Sequence, residues 1–257
     1  MSAKRMTIPL VLILSVATLA LAALPGARST FRSCGVALGS EVCTWIVMEG
    51  EDAVELGATV PLALIEAVPS DAEMVWPPKE LLTIALPAEA RTALGIDHMA
   101  INWEAHGHPP ATFLAPHFDF HFYNVTRDRV EAIDCTDTSK PPTLPAGYAL
   151  PDLDIPGMGV LVGLCVPRMG MHAMAEGHVG ATDTFGAAMM LGYYGGEPVF
   201  FEPMVSQARL LEASDFSVPI PRVENLPDGV RYPGAFRAEY DAAAEAYRLL
   251  FTEFGGH

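Results

Sequence analysis

Apolar and polar positions alternate most strictly over Pro116-His117-Phe118-Asp119-Phe120-His121-Phe122-Tyr123. Successive strand side chains point to opposite faces, so Phe118, Phe120 and Phe122 mark a core side while His117, Asp119, His121 and Tyr123 share the other. Around this segment the pattern predicts short elements. Residues 31–51 read as two strands about Gly39-Ser40, with Thr44-Trp45-Ile46-Val47-Met48 rich in β-formers. Residues 55–68 read as a strand followed by a short helical turn, because Gly57 and Pro61 break any longer helix. Pro87 opens and Gly95 stops a short helix over 87–94. Residues 111–125 read as one long strand, after which Thr126 caps a helix to about Ile133 with Asp128 in its first turn.

The five prolines at 141, 142, 145, 151 and 156 forbid regular structure over 139–159, and a buried strand is expected at 160–166. Residues 187–194 and 198–205 form a hairpin about Gly195-Gly196. In 233–254, Phe236, Tyr240, Ala243, Tyr247, Leu250 and Phe254 recur every three or four residues, which predicts an amphipathic helix ended by Gly255-Gly256. The expected fold class is α+β over residues 30–257. It has a mostly antiparallel β-sheet core, peripheral helices and a C-terminal amphipathic helix.

The N-terminus changes the picture. Lys4 and Arg5 precede an uncharged apolar run over 8–23, and Ala20-Leu21-Ala22 has small-x-small spacing, so residues 1–22 read as a cleaved secretory signal. The destination would be secreted or periplasmic, with no stable membrane insertion after cleavage. The chain has 15 Lys plus Arg against 31 Asp plus Glu, a formal charge of −16. That acidity excludes a nucleic-acid surface, which needs clustered cations. In an oxidising compartment Cys34, Cys43, Cys135 and Cys165 become readable as disulfides, and proximity suggests Cys34–Cys43 and Cys135–Cys165. Buried thiols are the alternative, and four cysteines allow three pairings.

Five of the eight histidines fall between His98 and His121. Same-face neighbours on a strand stand about 6.6 Å apart and can meet at one ion, whereas His117 and His121 are about 13 Å apart at their backbones. Converging side chains or a bulge would be needed for them to share it. His172, after a glycine turn, and Glu202, a carboxylate in the apolar stretch Phe200-Phe201-Glu202-Pro203-Met204, can supply further ligands. Such a set suits zinc, iron, manganese, nickel or copper. Asp119 could be a ligand or an acceptor fixing an imidazole, and Asp119 and Tyr123 are the candidate proton-transfer residues. The alternatives are histidines on a solvated sheet face and Glu202 paired with Arg168 or Arg209. His98, His106, His178 and His257 read as solvated or locally hydrogen-bonded.

The order Gly107-His108-x-Pro110, the octapeptide 116–123, Pro145-x-Gly147-Tyr148, Met169-Gly170-x-His172, Tyr194-x-Gly196 and Phe201-Glu202-Pro203-Met204 resembles the TTHB two-ten-like domain. That family comprises uncharacterised exported bacterial proteins. The resemblance runs from about Gly39 to Leu211 and implies His108, His117, His121, His172 and Glu202 as a metal site, without implying an activity. Three readings follow. The first is an exported protein with a His/Glu divalent-metal site, open to a small-molecule ligand. The second is a metal-dependent lyase or hydrolase. The third is a non-catalytic, homo-oligomeric envelope or stress-response protein with structural histidines. G-x-S-x-G and a phosphate-binding glycine loop are absent.

Overall fold

The computed structural model describes residues 26–255 apart from Met158, so the expected signal segment and His257 lie outside the described residues. In chain order the strands are β1 (Arg28–Ala37), β2 (Ser40–Glu49), β3 (Asp52–Pro61), β4 (Glu80–Ala85), β5 (His98–Glu104), β6 (His117–Tyr123), β7 (Tyr148–Ala149) and β8 (Leu153–Ile155). They continue with β9 (Gly159–Leu161), β10 (Met171–Ala175), β11 (Ala187–Tyr194), β12 (Glu197–Ser206), β13 (Phe216–Pro219), β14 (Ala235–Asp241) and β15 (Ala246–Thr252). Four short helices lie between them: α1 (Leu62–Ala67), α2 (Ala88–Leu94), α3 (Arg127–Glu131) and α4 (Gln207–Leu211).

Two antiparallel sheets carry the fold. One has the order β1-β2-β3-β15-β14-β13 and the other β4-β5-β6-β12-β11-β10-β7, while β8 and β9 form a separate ribbon. One apolar core joins the sheets, drawing Ile46, Leu56, Leu249 and Phe251 from the first and Phe118, Phe120, Phe122 and Phe201 from the second. The Phe122 ring meets Phe251 edge-on at 4.9 Å. The phenylalanine face of β6 is therefore the inter-sheet face, as the alternation requires.

Local chemistry set several boundaries as read from the sequence. The β1–β2 and β11–β12 hairpins, the β3–α1 succession and both short helices form where expected. Gly95 closes α2 in the left-handed conformation at φ 67°. Thr126 caps α3 by accepting a hydrogen bond from the Arg129 N–H. Both expected disulfides, Cys34–Cys43 and Cys135–Cys165, are present.

The C-terminal expectation is corrected: 233–254 is the β14–β15 hairpin and not a helix. The aromatic spacing fits both periods, since Phe236, Ala238 and Tyr240, then Tyr247, Leu249 and Phe251, also alternate. The tie is broken at Asp241, whose Oδ1 accepts from the Ala243 and Ala244 N–H groups and turns the chain. β15 then lies between β3 and β14 and buries both faces, with Leu250 packing beside Trp45 on the outer side. A helix would have buried only one stripe. With helices of five to seven residues, the fold is mostly β.

Three smaller corrections bear on the site. The strand expected over 111–125 spans only His117–Tyr123, because Ala111–Phe113 is a single 3-10 turn. Residues 160–166 are not a buried strand: Val160 is exposed, and Gly163 turns the chain at φ 60° while its N–H donates to Asp152. The proline-rich crossing is not wholly irregular, since β7 and β8 fall within it.

Candidate metal centre

The site occupies the face of β6 that looks away from the inter-sheet core. Across β5, Glu104 stands opposite His117, Asn102 opposite Asp119 and Ala100 opposite His121. Across β12, Met204 stands opposite Asp119. Beyond β12, Met190 of β11 faces Glu202, and Gly192 lies between Phe200 on one side and His172 of β10 on the other. Gly192 leaves room here for a neighbouring ring. A Cβ at that position would lie 2.0 Å from the Phe200 ring, which itself seats edge-on against His121 at 4.8 Å and tilted against His172 at 5.1 Å. His108 arrives from the loop after β5, where Gly107 turns at φ 65° with its Cα against the Phe113 carbonyl.

Six of these residues fall into two groups of three, His108–His117–Asp119 and His121–His172–Glu202, and within each group one ligand atom per residue lies within 4.8 Å of the others. Either group could hold a metal ion. Metal bonds of about 2.0–2.2 Å place two ligand atoms of a tetrahedral ion about 3.3–3.6 Å apart. His121 Nε2 is 3.5 Å and His172 Nε2 3.9 Å from Glu202 Oε2. His117 Nε2 is 3.3 Å from Asp119 Oδ1, and His108 Nε2 is 4.0 Å from Asp119 Oδ2. A third grouping, Cys34, Glu41 and Cys43, is closed to metal because its thiols form a disulfide.

The imidazoles are held for ligation. Each of His108, His117 and His172 places Nδ1 against a main-chain carbonyl, those of Pro109, Ala115 and Leu164, at 2.9, 2.7 and 3.1 Å. A carbonyl only accepts, so each Nδ1 carries a proton and each Nε2 is the atom left to face the site. At His117 burial acts against the charged form, but Asp119 outweighs it and raises the imidazole, so a metal there would displace an Nε2 proton. Burial is nearly complete at His117, His121, Asp119 and Glu202. Yet His117 Nε2, both His121 nitrogens, Asp119 Oδ1 and Glu202 Oε2 have no hydrogen-bond partner in the protein. The close approaches of His117 to Asp119 and of His121 to Glu202 are at ion-pairing distance but off hydrogen-bonding geometry. Unpaired buried polar atoms cost about 1–3 kcal/mol each, so five on one face point to a species that they jointly bind.

Electrostatics separates the two groups. Burial pushes His121 down to about 3 and, with the His108 imidazole nearby, His172 down to about 4. Both are neutral donors at physiological pH. Burial, reinforced by Asp119 and Glu104, raises Glu202 well above the carboxylate range. Burial also acts against ionised Asp119, but His117, its contact and His108 outweigh it and hold the carboxyl at about 2.

One cavity of about 60 Å³ serves both groups, lined by His108, Asp119, His172 and Glu202 together with Glu104. Its remaining wall is apolar, from Trp76, Ile155, Leu161, Leu164, Met169 and Met174 among others. The volume holds a few waters or one small ligand. The wall segment 161–169 is fastened by the Cys135–Cys165 disulfide, next to the Leu164 carbonyl that orients His172.

The structure thus brings His108, His117, His121, His172 and Glu202 to one face, but His117 and His121 lie in different groups. Asp119 stands among the ligand atoms, with its Oδ1 also 3.3 Å from His117 Nε2. Tyr123 stacks on His121 at 5.5 Å and on His98 at 4.8 Å, and it does not line the cavity. Glu202 contacts neither Arg168 nor Arg209; Arg209 pairs with Glu212. His98 is bonded to Asp97, His106 is exposed, and His178 packs on Phe113. Sequence reasoning missed Asn102 and Glu104. The alternation His98-Met-Ala-Ile-Asn102-Trp-Glu104 carried the signal, since its polar positions share one strand face. Among the described residues no helix is long and apolar enough to cross a membrane. No family model, no curated protein and no solved structure matches the chain.

Proposed function

We propose that this is an exported metalloprotein that binds a divalent transition metal through His121 Nε2, His172 Nε2 and the Glu202 carboxylate. The observation that carries the reading is the convergence of these three residues' ligand atoms, within 4.8 Å of one another, with His121 and Glu202 buried, His172 partly so, and no hydrogen-bond partner for His121 or for Glu202 Oε2. Two imidazoles and one carboxylate are borderline-to-hard donors suited to zinc, iron, manganese, nickel or copper. Three protein ligands leave coordination positions open toward the cavity, where a bound ion would polarise water or a small ligand. His172 and Glu202 both line that cavity, which favours a site that exchanges ligands over a closed structural one. Metal-dependent hydrolysis or lyase chemistry is the activity this layout fits.

Two disulfides support a secreted or periplasmic location, because such bonds persist in oxidising compartments. Membership of the TTHB two-ten-like domain family belongs to the same proposal. Its support is the motif order from Gly107 to Met204, which contains His121, His172 and Glu202. The test is metal quantification on protein purified without a His-tag, in parent, His121→Ala and Glu202→Gln forms. Bound metal in the parent and its loss from both variants is the expected result. Metal-free parent protein that takes up none of zinc, manganese, iron, nickel or copper would refute the reading.

A further inference from the structure

We infer that His108, His117 and Asp119 hold a second divalent cation, making the cavity a two-ion centre. This rests on the proposed first ion and goes beyond it. The second group repeats the first in composition, two imidazoles and one carboxylate, with ligand atoms again within 4.8 Å. His117 and Asp119 are more than nine-tenths buried, and His117 Nε2 and Asp119 Oδ1 have no hydrogen-bond partner. The Nδ1 atoms of His108 and His117 are both tied to carbonyls, so both Nε2 atoms are left to face Asp119, the orientation that ligation requires.

The cavity draws on both groups alike: His108 and Asp119 from the second and His172 and Glu202 from the first all line the same space of about 60 Å³. The geometry is also consistent with separate ions, since His117 and His121 are two pleats apart on β6, about 13 Å at their backbones. Asp119 and His121 are neighbours at about half that spacing, which sets the two groups side by side along the cavity wall.

The test loads untagged, metal-stripped protein with cobalt(II) and counts ions per chain by elemental analysis and by visible-absorption titration. Parent protein should bind two ions per chain. Asp119→Asn and His108→Ala should each bind one, and Glu202→Gln should bind one by losing the other. His108 is about one-third exposed on a loop, so its variant should fold even if Asp119→Asn does not. One ion per parent chain, lost in Glu202→Gln and kept in both other variants, would overturn the second site while leaving the first intact. One ion lost in every variant would mean a single shared ion and would also overturn it. No ion in the parent would remove both.

Discussion

Glu202→Gln should have opposite consequences with and without metal, and the structure sets the size of each. In the metal-free protein Glu202 is 1% exposed, and burial together with Asp119 drives its carboxyl well above the ordinary 4.5. Holding a carboxyl of that ordinary value protonated at pH 7 costs about 3 kcal/mol. Glutamine has the same shape and no such cost, though its amide is poorly paired at about 1–3 kcal/mol. The metal-free variant should therefore be as stable as the parent or up to about 2 kcal/mol more so. With metal at one hundred times its Kd, a filled site adds about 2.7 kcal/mol, or roughly 5–10 °C in Tm for a chain of this size. Losing a direct ligand weakens binding by at least the hundred-fold known for outer contacts, which cuts this site's share to about 0.4 kcal/mol. Guanidinium unfolding and thermal scans, each with chelator and with added zinc, read both arms. A variant several kcal/mol less stable in chelator, with an undiminished response to zinc, would mean that Glu202 is a structural group and not a metal ligand.

Gly192→Ala should cost about 1–3 kcal/mol and lower metal affinity, because its Cβ drives the Phe200 ring toward His121 and His172; thermal melts and zinc titration check this. Replacing Cys135 and Cys165 together by serine should destabilise the chain by roughly 3–4 kcal/mol for a 30-residue separation. It should also weaken metal binding by freeing the Leu164 carbonyl that orients His172, as competition with a zinc-sensitive dye would report. In chelator, acid should destabilise the protein. Folded His121 and His172 stay neutral to about 3 and 4 while the unfolded chain protonates them below 6.5, so stability falls as pH falls. Glu202 and Glu104, the latter raised to about 7 by burial and Asp119, slope the other way above pH 4.5 and mask this. The loss should therefore emerge below about pH 4.5, where Asp119, held at about 2, adds to it, and it should shrink in His121→Ala.

The face of β6 was legible because period-two alternation of phenylalanine with histidine has only one strand reading. Glu202 stood out because a carboxylate between phenylalanine and proline must be buried, and both disulfides followed from proximity. The hairpin at 235–252 was not legible, since its aromatic residues satisfy periods of 2 and 3.6 alike and a side-chain turn at Asp241 decides between them. The division into two groups was also hidden. It depends on β12 pairing with β6 and on β10 lying beyond β11, and strand order is set by long-range packing that local pattern does not record. Gly192 illustrates the same limit. Its lack of a side chain matters only because Phe200 and His172 flank it across strands.

The most direct measurement is an anomalous-scattering map of crystals of the protein grown with one of the candidate metals, recorded above and below its absorption edge. A metal held by this site gives a peak about 2.0–2.2 Å from His121 Nε2, His172 Nε2 and a Glu202 oxygen. Ordered side chains with no peak between them, the imidazoles and carboxylate bridged only by water, would contradict it.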